Sequence, residues 1–405
     1  MNVKDRFIRY VKIHTASAEN TAKTPTTYRQ FDLARLLCAE MKDMGMEGVF
    51  CDGHAYAYGF LPATPGCEDR PCIGFIAHID TIPEYSGENV RPQIIENYDG
   101  GDVPLGTSGR VLRPAQFPHL PSLKGQTLIT TDGTTVLGAD DKAGVAAIMA
   151  ACEELSRGER PHGRVAVCFT PDEEVGHGAA LLDLERFGAA FAYTVDGGEV
   201  DHINYETFNA AWATWEVKGF NIHPGSAKDK MINAALVAME IDGLLPAAER
   251  PEHTEGYEGF FHLREISGSV EQAELSYIVR DHDAGCFEAR KRTLRQIERY
   301  INEKYGEGTA KLTLGDQYRN MAEMVTKDPR VLDLAERAIR RLGLEPVSEP
   351  VRGGTDGAQL SFRGLPCPNL GTGGYACHGP FEHVTVEGLE AAAQIVLNII
   401  DENLR

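Results

Sequence analysis

Five short segments combine acidic and imidazole side chains at positions suited to metal chemistry. They contain His78 with Asp80, Asp140 with Asp141, Glu173 with Glu174, Asp196, and His378. Three of these segments directly follow apolar runs, and the carboxyl ends of parallel strands meet at one edge of a sheet. Two histidines with several carboxylates, and no cysteine pair, are the ligand types that hold paired zinc-type ions in hydrolases.

Each segment alone has an ordinary structural explanation. Asp140 and Asp141 precede a predicted helix, where acidic side chains cap free amides and oppose the helix dipole. A His-x-Asp pair such as His78 and Asp80 is common at protein surfaces, and adjacent acids are common in solvated turns. Only the combination of all five segments favours a metal-dependent hydrolase.

Apolar patterning predicts an α/β fold around these segments. Helical spacing over residues 6–13 and 28–46 predicts two N-terminal helices. Apolar runs over residues 72–77, 164–169 and 191–195 predict strands that are buried on both faces, and residues 142–155 predict a helix between the first two. This order indicates a helix-covered, mainly parallel sheet.

The pattern changes at about residue 207 and returns to the first type after residue 325. The intervening runs predict the order β-α-β-β-α-β over residues 207–219, 229–245, 260–266, 271–280, 284–305 and 310–314. That order is typical of a ferredoxin-like unit. We therefore expect a catalytic domain built from residues 1–206 and 321–405, with an inserted ferredoxin-like α+β domain over residues 207–320.

Composition excludes several classes of partner. The 405 residues include 40 Lys and Arg against 60 Asp and Glu, a formal net charge of −20, which disfavours binding to nucleic acid or anionic lipid. No apolar run approaches the ~18 residues that span a bilayer, and the N-terminus has no signal-peptide core. Nine cysteines without a Cys-x-x-Cys pair are typical of reduced thiols. We expect a cytoplasmic protein.

A series of short motifs along nearly the whole chain carries a family resemblance. They are residues 9–12 (Arg-Tyr-Val-Lys), 77–81 (Ala-His-Ile-Asp-Thr), 137–144 (Leu-Gly-Ala-Asp-Asp-Lys-Ala-Gly), 170–176 (Thr-Pro-Asp-Glu-Glu-Val-Gly), 223–225 (His-Pro-Gly), 352–357 (Arg-Gly-Gly-Thr-Asp-Gly) and 373–375 (Gly-Gly-Tyr). Their order resembles the di-zinc aminopeptidase/carboxypeptidase clan, and within it most closely the tripeptide aminopeptidases.

The resemblance implies a role for each residue of the metal segments. It makes Asp140 a carboxylate bridging two Zn²⁺ ions, for which Co²⁺ or Mn²⁺ can substitute, with the remaining ligands His78 and Asp196 on one ion and Glu174 and His378 on the other. It implies that Asp80 orients His78. It also implies that Glu173 is the general base for a zinc-bridging hydroxide that hydrolyses the N-terminal residue from small peptides.

The same resemblance assigns the inserted domain to substrate binding and to homodimer formation. His223 would bind substrate or the oxyanion, and Arg280 would hold the terminal carboxylate of the peptide, because its guanidinium pairs with a carboxylate through two hydrogen bonds. Asn320 and Arg352 are further candidates for this pocket. An anchor at a fixed distance from the metals would favour short peptides.

Three alternatives follow from the same residues. A deacylase or carboxypeptidase acting on N-acyl amino acids would use the same two metals on a different amide. A catalytically silent scaffold would lack a ligand or the base, yet all of them are present. A nucleotide-binding oxidoreductase is disfavoured because the glycine-rich segment at residues 371–374 leads into the loop of His378 rather than into a helix.

Overall fold

The computed structural model describes all 405 residues of the chain. Its helices are α1 (Val3–Val11), α2 (Gln30–Asp43), α3 (Ala139–Ser156), α4 (Leu184–Phe187), α5 (Ala234–Gly243), α6 (Ala284–Tyr305), α7 (Ala322–Val325), α8 (Pro329–Arg340), α9 (Asp356–Phe362) and α10 (Val386–Glu402). None of these helices combines the length and the apolar character required to cross a membrane.

The strands fall into four sheets. In chain order they are β1 (Glu47–Cys51), β2 (Ala57–Leu61), β3 (Ile73–His78), β4 (Gln93–Ile95), β5 (Val103–Pro104), β6 (Val111–Leu112), β7 (Leu128–Thr130), β8 (Val165–Thr170), β9 (Phe191–Gly197), β10 (Ile203–Asn204), β11 (Asn209–Lys218), β12 (Phe260–Gly268), β13 (Gln272–Asp281), β14 (Ala310–Tyr318), β15 (Asn369–Gly371), β16 (Gly374–Tyr375) and β17 (His383–Thr385).

The chain divides into two compact units. Unit 1 comprises Met1–Tyr205, Met321–Glu349 and Thr355–Arg405, and unit 2 comprises Glu206–Asn320 and Pro350–Gly354. The sequence predicts a catalytic domain that includes all of residues 321–405, whereas Pro350–Gly354 groups with unit 2. The reason is backbone pairing, since the amide of Phe208 donates to Gly353 O and the amide of Val351 donates to Glu206 O.

Unit 1 is built on a seven-stranded sheet in the order β1-β2-β8-β3-β9-β15-β10. Its four central strands, β8, β3, β9 and β15, are parallel. Every residue of β3 and β8 is buried, and their side chains alternate between two apolar clusters: Phe75 belongs to the one that includes α1, α3 and α10, and Ile76 belongs to the other. The expectation of a helix-covered, mainly parallel sheet is confirmed.

Two smaller sheets of unit 1 are formed by two stretches of the chain, within residues 93–130 and 374–385, where the apolar pattern predicts no strand. One is four-stranded, in the order β16-β17-β7-β4, and the other pairs β5 with β6. Each of these strands has only two or three residues. Such short runs cannot show the alternation from which strands are predicted.

Unit 2 has the order β11-α5-β12-β13-α6-β14 and one antiparallel sheet in the order β12-β13-β11-β14. The expected β-α-β-β-α-β sequence of elements is therefore present. Along β11, buried residues alternate with more exposed ones from Ala211 to Lys218, as expected when helices cover one face of an antiparallel sheet. Trp215, on the buried face, packs in a core with residues of α5 and α6, including Val237 and Leu294.

Candidate metal centre

His78 is the last residue of β3, and both of its ring nitrogens face acidic residues. Nδ1 lies 3.1 Å from the backbone oxygen of Asp80 and 3.3 Å from its Oδ1. Nε2 lies 2.9 Å from Asp140 Oδ1 and 3.5 Å from Asp196 Oδ1. The buried strand thus presents one imidazole to three carboxylates.

Asp140 and Asp141, at the start of α3, have different roles. Asp141 accepts hydrogen bonds from the amides of Gly144 and His78, both at 3.1 Å, so it supplies the capping expected of an acid at a helix start. Asp140 has non-helical dihedral angles, φ −83° and ψ 104°, and directs its side chain elsewhere. Its Oδ1 faces His78 and its Oδ2 lies 3.1 Å from His378 Nε2.

The turn after β8 carries Glu173 and Glu174, and two buried aspartates hold it in place. Asp172, with a positive φ of 58°, accepts hydrogen bonds from Thr26 and Gln30. Asp80 accepts the amide of Glu173 at 3.0 Å and the amide of Glu174 at 3.3 Å. Asp80 therefore contacts both His78 and the turn of the paired glutamates.

His378 lies in the loop that follows β16. It has a positive φ of 67° and, in contrast to His78, an exposed side chain. Its Nε2 lies 3.1 Å from Glu174 Oε2 and 3.1 Å from Asp140 Oδ2. This loop therefore brings a second imidazole to the other oxygen of Asp140.

Asp196 lies near the end of β9, where α3 approaches the strand very closely. A Cβ atom at Gly144 of α3 would lie 1.7 Å from Val195 O and 2.5 Å from Asp141 Oδ1. Only glycine fits at this position. The first turns of α3 therefore lie directly against the backbone of Val195, the residue before Asp196.

The acidic side chains lie in a buried environment that raises the pKa of most of them. Burial raises the pKa of Glu174 to about 7 and that of Asp196 to about 6, and it raises the pKa of Glu173 well above its usual value. Hydrogen bonds to Asp140 and Glu174 raise the pKa of His378 to about 11. A positive charge close to these carboxyl groups would favour their ionised form. The buried cluster of acids is therefore a suitable site for a cation.

Two sets of three side chains have ligand atoms within 4.8 Å of one another, which is close enough to share a metal ion. They are His78, Asp141 and Asp196, and His78, Asp140 and Glu174. Their imidazole nitrogens and carboxylate oxygens suit zinc, cobalt or manganese. A third set, Glu199, Asp201 and His202, lies elsewhere in unit 1 and is partly exposed. The family resemblance implies no ligand role for Asp141.

The candidate substrate residues all belong to unit 2. Arg280 of β13 is buried, and its Nη1 donates to Ala211 O at 3.1 Å and to Val279 O at 3.0 Å. Its guanidinium carbon lies 5.4 Å from the centre of the Tyr318 ring. Burial lowers the pKa of Arg280.

Arg352 contacts the loop at residues 254–258. Its Nη1 donates to Gly256 O and Glu258 O, and its Nη2 donates to Thr254 Oγ1, each at 2.8 Å. These contacts fix a loop of unit 2 against the segment 350–354.

Asn320 and His223 also make contacts within unit 2. The Asn320 side chain accepts the amide of Thr207 at 3.0 Å and donates to His282 O at 3.2 Å. His223 is exposed, and its Nδ1 accepts the amide of Gly225 at 3.1 Å. Because Nδ1 is an acceptor in this turn, Nε2 carries the proton of the neutral ring.

Sequence reasoning missed two buried carboxylates beside the site. Glu382 accepts the backbone amides of Leu137, Gly138 and Asp140. Asp356, at the start of α9, accepts a hydrogen bond from Thr170 at 3.1 Å. Asp356 lies in the family motif at residues 352–357. For Glu382, the only indication in the sequence is its position four residues after His378.

The chain is similar to known peptidases in sequence. The family model described as peptidase family M20/M25/M40 matches residues 136–402. The chain is 52% identical over 400 residues to Peptidase T of Clostridium perfringens, with 98% of each chain covered. It is 50% identical over 398 residues to Peptidase T of Geobacillus kaustophilus, covering 98% of this chain and 97% of the relative.

Two solved structures share the fold. Aminopeptidase PepT from Bacillus cereus superposes with a TM-score of 0.80 at 24% identity, covering all of this chain and 98% of the other. A dinuclear metal binding peptidase of the M20 family from Bacillus subtilis superposes with a TM-score of 0.66 at 17% identity, covering 98% and 97%.

Proposed function

The chain belongs to peptidase family M20/M25/M40, and from this premise we propose that it is a metal-dependent tripeptide aminopeptidase, which releases the N-terminal residue from tripeptides. The observation that carries the proposal is the match to Peptidase T relatives at 52% identity over 98% of the chain. The convergence of acids and imidazoles on Asp140 supports the metal dependence.

The donor set fits two divalent ions. His78 and Asp196 would hold one ion, Glu174 and His378 the other, and Asp140 would bridge them, because its two oxygens face different imidazoles. We propose Zn²⁺, with Co²⁺ or Mn²⁺ as substitutes, since imidazole and carboxylate ligands serve all three. When bound, the ions polarise the scissile carbonyl and activate water for the attack.

Glu173 is the general base of the proposed reaction. Its carboxylate takes the proton from the attacking water and delivers it to the nitrogen of the leaving amine. The support for this role is its position beside Glu174, in a turn whose amides are held by Asp80. Asp80 also orients the ring of His78 through Nδ1, so that Nε2 faces the metal site.

Unit 2 supplies substrate contacts in this proposal. His223 donates through Nε2 to the oxyanion or to the substrate, and the acceptor role of its Nδ1 supports this assignment. Arg280 binds the terminal carboxylate of the peptide, with Asn320 and Arg352 in supporting positions. Arg280 lies among backbone carbonyls and the Tyr318 ring, which fix the orientation of its guanidinium.

We further propose that the enzyme forms a homodimer through unit 2. Helix α5 exposes Leu236 and Met239, and Leu244 and Phe220 nearby in the sequence are exposed too. Exposed apolar side chains on one helix are typical of contact surfaces. Light scattering of the wild type and of Leu236→Glu tests this: the wild type should have the mass of a dimer and the variant that of a monomer.

We propose a cytoplasmic location on the basis of the cysteines. All nine are free thiols, and five of them are at least partly accessible: Cys51, Cys67, Cys72, Cys286 and Cys377. Free thiols persist in a reducing compartment. Cell fractionation with an antibody against the chain tests the location.

The activity is tested with one matched set of substrates. A tripeptide is compared with its N-acetylated form, its C-terminal amide, the dipeptide and the tetrapeptide, each with and without a chelator. We expect release of the N-terminal residue from the free tripeptide only, and loss of activity with the chelator. Preference for the N-acetylated compound would instead identify a deacylase.

A further inference from the structure

Glu382 is a buried carboxylate that the proposed reaction does not use. Its Oε2 accepts the amides of Leu137 at 2.7 Å and Gly138 at 2.8 Å, and its Oε1 accepts the amide of Asp140 at 2.9 Å. One side chain therefore binds three of the four amides in the stretch that ends at Asp140. Hydrogen bonds from amides to an ionised carboxylate are among the stronger ones in proteins.

These amides have no partner within α3 that could replace Glu382. Amides in the first turn of a helix have no carbonyl four residues earlier in the helix. Gly138 has left-handed dihedral angles, φ 77° and ψ 30°, and Asp140 departs from helical geometry as well. The conformation of this stretch therefore depends on an acceptor from another part of the chain.

Glu382 and His378 belong to one short segment that contacts Asp140 at both ends. Glu382 binds the backbone amide of Asp140, while His378 Nε2 faces its Oδ2 at 3.1 Å. The amide of Glu382 in turn donates to Gly379 O at 3.3 Å, which closes the segment into a turn. The backbone and the side chain of Asp140 are thus located relative to the same turn.

We propose that Glu382 is a positioning residue that fixes the carboxylate of Asp140 between His78 and His378, and thereby sets the affinity of the site for its two ions. The inference rests on the two-ion site proposed above. Glu382 makes no contact with substrate in this role.

The test is a comparison of Glu382→Gln with the wild type in the full-length protein. The amide oxygen of glutamine can keep the bonds to Leu137 and Gly138, but its NH₂ group then meets the amide of Asp140, so two donors face each other. Calorimetric titration of the metal-free protein with Zn²⁺ should show affinity lowered 10- to 100-fold, the range for groups that orient metal ligands. Raising the Zn²⁺ concentration should recover activity.

Glu402→Gln is the matched control. Glu402 is equally buried in unit 1, but its partners are Arg337, Arg341 and Arg405. The control variant should lower the melting temperature and leave Zn²⁺ affinity within twofold of the wild type. Zn²⁺ affinity of Glu382→Gln within twofold of the wild type would overturn the proposal, as would an equal loss in Glu402→Gln.

Hydrogen exchange reports on Glu382 without any metal. In the metal-free protein, residues 137–140 should exchange faster in Glu382→Gln than in the wild type, and unchanged exchange would overturn the inference. A wild type that binds no divalent ion would contradict the proposed function. The hydrogen-exchange result would still show whether Glu382 holds the amides of residues 137–140. If Glu382→Gln fails to fold, Glu382→Asp, which keeps the charge but shortens the reach, replaces it with the same criteria.

Discussion

The two histidines of the proposed metal centre lie in opposite surroundings. His78 ends a central strand, its side chain is 2% exposed, and both of its nitrogens face acidic residues. His378 lies in a loop, its side chain is 54% exposed, and its Nε2 faces Asp140 and Glu174. Ligands on strands are held more precisely than ligands on loops. We therefore expect the ion on the His78 side to be held more tightly than the ion on the His378 side.

The largest expected effect is a loss of catalysis that leaves both the His78 side and the His378 side of the metal site intact. Glu173→Ala should lower kcat by about 10⁴-fold, because the proton of the attacking water loses its acceptor. Atomic emission should still find both metals, since Glu173 is not one of the proposed ligands. Retained turnover would remove Glu173 from the mechanism, and the exposed Glu185→Ala is the control.

The next effect tests the difference between the two sides directly. His78→Ala should lose both ions, because it removes a buried ligand that faces Asp140 as well as Asp196. His378→Ala should retain one ion and lose the other, with affinity for the second ion lowered more than 100-fold, which exceeds the effect of orienting groups. Equal metal content in the two variants would contradict the comparison.

Asp80→Asn should affect the His78 side more than the His378 side. The substitution removes the negative charge beside His78 Nδ1, and with one acceptor oxygen left it also loses one of the two hydrogen bonds to the amides of Glu173 and Glu174. A loss of 10- to 100-fold in affinity for the more tightly bound ion is expected, with a smaller change for the other. Competitive titration with a chelator of known affinity measures both steps, and a loss confined to the weaker ion would be inconsistent with this assignment.

Gly144→Ala should give the smallest effect, a loss of stability at the contact between α3 and β9 next to the His78 side of the site. The added methyl group would lie 1.7 Å from Val195 O, so α3 must move away from β9. Overpacking of this kind costs about 1–3 kcal/mol, which thermal unfolding can detect. Gly243→Ala, at the end of α5 with open space around it, should be close to neutral. A similar melting temperature for both variants would mean that α3 tolerates the methyl group.

Much of the fold followed from local patterns. The buried runs at β3, β8 and β9 predicted the parallel strands, because a strand covered on both faces is apolar throughout. The alternating runs predicted the elements of unit 2 in the right order. Strands β4 to β7 were not predicted because they are short. Pro350–Gly354 groups with unit 2 through backbone pairing, which leaves no trace in side-chain type.

The sequence by itself determined which residues could serve as metal ligands, base and carboxylate anchor, because side-chain chemistry is a property of residue type. Residue type alone does not distinguish Asp140 from Asp141, and only the family resemblance assigns the bridging role to Asp140. The tertiary structure gives the two side chains different surroundings: Asp140 faces both histidines, while Asp141 accepts the amides of His78 and Gly144. The role of Glu382 likewise depends on contacts some 240 residues apart in the chain, which no local pattern encodes.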